Sequence, residues 1–138
     1  MIIKTYELNK INFETNNFVL FYGQNEGLKK EEIQKIELKI NTPISNYDEK
    51  QIIENKELFY ENILSGSLFE NKKIIIINRA SDKLIDVIED LLEKKLKDRI
   101  ILVNCGILEK KSKLRKLFEK EKKLICVPFY PDNDQTMI

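Results

Sequence analysis

The apolar positions of this chain fall into short continuous runs separated by amphipathic stretches. Phe18-Val19-Leu20-Phe21-Tyr22 is a bounded apolar and aromatic run and predicts a buried strand. Gly23-Gln24-Asn25-Glu26-Gly27 follows as a turn, with Asn25 a candidate helix N-cap. Leu28, Ile33, Ile36 and Ile40 then recur at near-helical spacing among Lys and Glu. The stretch Ile40–Ile44 predicts a second strand, which Pro43 confines to a sheet edge. Asp48 and Gln51 have capping-box spacing and open a helix bearing Ile52, Phe59, Ile63 and Leu64, ended by Ser65-Gly66.

Ile74-Ile75-Ile76-Ile77 is the clearest strand. Four consecutive β-branched residues have no polar face, so both sides must be covered, as in a parallel sheet flanked by helices. Ser81 or Asp82 caps the next helix, which carries Leu84, Val87, Ile88, Leu91, Leu92 and Leu96. Ile100–Val103 is another apolar strand, and Ser112–Phe118 a short basic amphipathic helix. Leu124–Val127 is the last strand, closed by Pro128 and Pro131, and Asp132–Gln135 reads as the start of a helix. Strands alternating with helices predict an α/β fold: three α/β/α layers around a five-stranded parallel sheet with right-handed crossovers.

Composition narrows the chemistry. The 138 residues contain no histidine, so Ser-His-Asp and Cys-His catalysis, imidazole metal ligation and histidine pH switching are excluded within them. Two cysteines cannot supply a four-thiolate zinc site, and their separation gives no CxxC motif. Lys+Arg at 24 against Asp+Glu at 23 argues against a globally basic nucleic-acid binder. No apolar run is long enough to cross a membrane and no signal sequence opens the chain, so a cytoplasmic setting without membrane partners is expected.

In a parallel sheet, ligands bind beyond the carboxyl ends of the strands. The loop after the first strand therefore stands where a phosphate-binding loop would. Such a loop needs GxxxxGK[ST]: glycines for close backbone approach, lysine for the phosphates and a hydroxyl for magnesium. Counted from Gly23, Leu28 replaces the second glycine and Lys30 the hydroxyl; Lys29 alone is in register. Gly23, Gln24, Asn25, Glu26 and Lys29 thus form a degenerate nucleotide loop. After Ile77 comes Asn78-Arg79, where an ATPase places a carboxylate. Asn104 follows the next strand and reads as a turn-maker. The segment from Glu109 to Lys123 carries eight basic and three acidic residues. It reads as a solvated helix face, with Lys110, Lys111, Lys113, Arg115 and Lys116 as an alternative contact to DNA backbone. No metal or cofactor is expected. Leu68 and Phe69, beside Gly66 and Ser67, sit in a polar connection outside any period. They are either a loop anchor or a plug for a partner's pocket.

Taken together, these pieces resemble the N-terminal domain of the delta subunit of bacterial DNA polymerase III, from the clamp loader. The residues that carry the resemblance are Phe21-Tyr22-Gly23-Gln24-Asn25-Glu26, then Ser67-Leu68-Phe69 followed by Lys72-Lys73-Ile74-Ile75-Ile76. Leu108-Glu109-Lys110-Lys111-Ser112-Lys113-Leu114 and Pro128-Phe129-Tyr130-Pro131-Asp132-Asn133 complete it. The resemblance implies an AAA+ fold with strand order 5-1-4-3-2 and no nucleotide machinery. It implies a non-enzymatic domain, residues 1–138, with lid and collar domains expected beyond it. It implies the sliding clamp (beta subunit) as partner, with Leu68 and Phe69 entering a hydrophobic pocket and favouring an open ring. Other loader subunits would bind through the later domains, and primed DNA would be met indirectly. The implied strand order also separates Cys105 from Cys126 by an intervening strand, about 10 Å, too far for a disulfide. A divergent active NTPase, with Lys29 on phosphate and Asn104 as sensor, is the competing enzymatic reading.

Overall fold

A computed structural model describes residues 1–64 and 72–130. Five parallel strands form one sheet: β1 (Phe18–Gly23), β2 (Ile44–Asp48), β3 (Lys73–Ala80), β4 (Arg99–Cys105) and β5 (Leu124–Phe129). Their spatial order is β2-β3-β4-β1-β5, the order expected from the resemblance. The helices are α1 (Glu26–Ile40), α2 (Glu49–Glu54), α3 (Lys56–Leu64), α4 (Ile85–Glu93) and α5 (Lys113–Lys120).

The strand pleat divides the apolar runs between two cores. Leu20, Ile75, Ile77, Ile101 and Val103 face one side, where Phe59 and Ile63 of α3, Val87 and Leu91 of α4, and Leu114 and Phe118 of α5 cover them. Val19, Phe21, Ile74, Ile76, Leu102 and Ile125 face the other, under Ile36 of α1 and the N-terminal residues Leu8 and Phe13. The continuous β-branched run of β3 is therefore needed by both layers.

Several sequence expectations are corrected. Ile40 is the last residue of α1, not the start of a strand. Asn41 closes that helix in the left-handed region at φ 58°, so extended backbone begins only at Ile44, beyond Pro43. The resulting strand β2 does lie at a sheet edge. The helix expected from Asp48 onward is two helices. Asn55 leaves helical geometry at φ −151°, and its side chain accepts from the Leu58 amide to restart the chain as α3. Pro128 lies inside β5, opposite Tyr22, rather than ending it. An edge strand tolerates a residue without an N–H when that position faces away from the ladder. The outer side of β5 is partly covered by the N-terminal segment through the Ile2–Cys126 bridge. Ser65–Asn71 and Pro131–Ile138 lie outside the described residues, so the expected clamp contact at Gly66, Ser67, Leu68 and Phe69 and the helix start at Asp132–Gln135 do too.

Candidate functional site

The carboxyl ends of β1, β3 and β4 converge on the loop after β1. Gly23 has φ +119°, a region that side chains disfavour, and a Cβ there would stand 2.0 Å from the Phe129 carbonyl oxygen. Its amide donates to the Gly106 carbonyl at 2.9 Å. Asn25 caps α1 as expected: its Oδ1 accepts from the Leu28 amide at 3.1 Å, and its Nδ2 donates to the Tyr130 carbonyl at 3.1 Å. The loop is thereby tied to the ends of both neighbouring strands. Gln24 is exposed and its carbonyl accepts from the Glu26 amide.

Lys29, the residue in register for phosphate, is only 1 % exposed. Its Nζ donates to the Cys105 carbonyl at 2.5 Å and to Glu26 Oε1 at 3.0 Å. The ammonium is folded beneath the loop and held by β4. Beside it, three amides form a ladder across the strands. Asn104 Nδ2 donates to Asn78 Oδ1, and Asn78 Nδ2 to Asn46 Oδ1, each at 3.1 Å. Asn104 is thus a cross-strand partner rather than a turn-maker. Arg79 adopts φ 53° at a register shift between Ile77 and Ala80, and its guanidinium reaches Asp48 Oδ2 at 2.6 Å. The cleft between these groups, about 500 Å³, is bordered by the carboxylates of Glu26 and Asp48. Arg79, the cation on its wall, is paired with Asp48, while Lys29 lies beneath the loop against the Cys105 carbonyl. No group of three or more potential ligands that could hold a metal exists among the described residues.

The basic helix is anchored from below. Asp82 stands at the N-terminus of α5, accepting from the Ser112 hydroxyl at 2.6 Å and from the Lys113 and Leu114 amides at 3.1 Å each. Burial raises its pKa, but these hydrogen bonds outweigh burial and hold the carboxyl below its ordinary value. The neighbouring Ser81 caps the short turn Asp82–Leu84, and its amide and hydroxyl donate to Glu49 of α2. The sequence presents Ser81 and Asp82 as local caps and Ser112 as the start of the basic helix; their separation in the chain conceals the joint.

Lys110, Lys111, Lys113 and Lys116 are exposed, as a DNA-backbone contact requires. Arg115 is not among them. It donates to Glu119 and to the Leu108 carbonyl, both at 2.9 Å, and lies 4.8 Å from the Tyr22 ring centroid. Within the basic set it is the member held by internal partners. Cys105 and Cys126 are free and buried, on strands separated by β1, and burial pushes both thiols up to about 12.

No family model matches the sequence, and no curated protein matches it. Among solved structures, the chain is similar to the DNA clamp loader delta protein YqeN of Bacillus subtilis. The TM-score is 0.63 at 13 % identity over 91 % of this chain. The similarity spans 41 % of that protein's length. At this identity it is the fold that is shared. No helix among the described residues is long and apolar enough to cross a membrane.

Proposed function

We propose that this domain serves in clamp loading as a protein-binding module rather than an NTPase. In this reading it grips a ring-shaped sliding clamp with Leu68 and Phe69. The observation that carries the reading is the self-occupied loop: the fold is that of a clamp loader delta protein, and the lysine that would meet a phosphate is buried against Cys105. Without nucleotide chemistry, the work available to the domain is differential binding. A module that binds one conformation of a ring better than another shifts the ring toward that conformation by the difference in affinity.

The test is the affinity of the chain for the purified clamp of its own genome. Leu68→Ala/Phe69→Ala is expected to weaken it by at least about 2 kcal/mol, roughly thirtyfold, as loss of a buried anchor does. Equal affinity of wild type and double variant sinks the site assignment. Micromolar binding of Mg-ATP by the wild type would replace the module with an NTPase.

A further inference from the structure

A second concavity lies at the opposite end of the sheet, where β1, β3 and β4 begin. It encloses about 600 Å³ and has an apolar floor of Ile11, Phe13, Ile40 and Ile100. Phe13 and Ile100 belong to the core, so the floor is firm. Its polar wall is predominantly cationic: Lys39, Lys72, Lys97 and Arg99 against Glu14 and Asp98.

Arg99 is the decisive member. It is only 8 % exposed, and its described partners are the carbonyl oxygens of Ile63 at 2.8 Å and Asp98 at 3.2 Å. No carboxylate pairs with it among the described residues. A buried guanidinium held only by neutral acceptors keeps its full charge unneutralised, and a planar fork of donors suits a carboxylate. Lys39 is spent differently: it donates to the Asn9 carbonyl at 2.9 Å and lies 5.7 Å from the Phe13 ring centroid, fixing the floor. Lys72 is 3.4 Å from Glu14. Arg99 and the exposed Lys97 are therefore the cations left to meet a ligand.

We infer that this pocket takes an acidic peptide segment of the clamp, one carboxylate on Arg99 and Lys97 with an adjoining apolar side chain on the Phe13–Ile100 floor. The inference rests on the clamp-binding reading above. Two observations select this occupant. The pocket is complementary to something anionic and apolar at once. And Lys72, on its wall, follows Phe69 by three residues, a contour of at most about 10 Å. A partner gripping Leu68 and Phe69 is thus within reach of the pocket without a second docking event.

Arg99→Gln tests this directly but also removes a bond to Ile63, so Lys97→Glu is the companion variant, with Lys116→Glu as the matched charge change on α5. Clamp affinity is measured for each from low to moderate salt. Lys97→Glu is expected to weaken binding about tenfold at low salt and to flatten its salt dependence, with Lys116→Glu within about twofold of wild type. If Lys97→Glu matches Lys116→Glu while Leu68→Ala/Phe69→Ala abolishes binding, the pocket inference is overturned and the clamp reading stands. If the wild type does not bind the clamp, both fall.

Discussion

Replacing Lys29 with methionine separates a structural lysine from a phosphate ligand. Methionine keeps an unbranched stem of similar length, so it removes the ammonium with little cavity. The ion pair with Glu26 counts for little, because that carboxylate side chain is 70 % exposed and solvent screens it. The bond to the Cys105 carbonyl is different. It is buried, it comes from a charged donor, and its loss strands an acceptor at the end of β4. A hydrogen bond of that kind contributes about 1.5–3 kcal/mol. For a domain of this size, about 2 kcal/mol lowers the melting temperature by roughly 7 °C. Lys29→Met is therefore expected to melt that much earlier in a thermal scan and to leave clamp binding within about twofold of wild type. Calorimetric titration with Mg-ATP is expected to give no heat with either protein. A variant that melts with wild type, or a wild type that binds Mg-ATP and loses it on substitution, refutes the reasoning.

Gly23→Ala should be among the most damaging single changes. The new Cβ meets a carbonyl oxygen at 2.0 Å and a disfavoured φ, so a loss above about 3 kcal/mol is expected in denaturant unfolding. Both thiols should resist a disulfide-exchange reagent in the native protein and react fully once unfolded, since burial keeps them protonated. Fast labelling of either in the native state would contradict its burial in the core. Asp82 has a lowered folded pKa, so its contribution is full above the ordinary carboxylate value and is lost as pH falls through the folded one. Asp82→Asn should lower stability at neutral pH and flatten the acid limb of the unfolding curve. Arg115→Ala should lower the melting temperature, whereas Lys113→Ala should not.

β1, β3, β4 and β5 were legible because each contains a local apolar run, and a run with no polar face demands two covering layers; β2, Ile44-Ser45-Asn46-Tyr47-Asp48, contains no such run. Ile74–Ile77 alone implied the three-layer plan. Boundaries failed where a single residue's backbone geometry decided them. Asn41 in the left-handed region moved the second strand past Pro43, and Asn55 split one helix into two. The degenerate loop was legible as a failed motif, since Leu28 and Lys30 stand where glycine and a hydroxyl are required. The fate of its one matching residue was not.

Local order thus follows from the chain itself: the apolar strands β1, β3, β4 and β5, helix caps at Asn25 and Asp48, and the absence of histidine chemistry are all matters of neighbouring residues. The site belongs to the tertiary structure. Lys29 meets the Cys105 carbonyl across 76 residues of sequence, Asn104 reaches Asn78 across 26, and Asp82 caps a helix 30 residues downstream. Periodicity reports which face of an element is apolar. It carries no information on which buried donor meets which acceptor, and that pairing turned a phosphate-loop lysine into a strut.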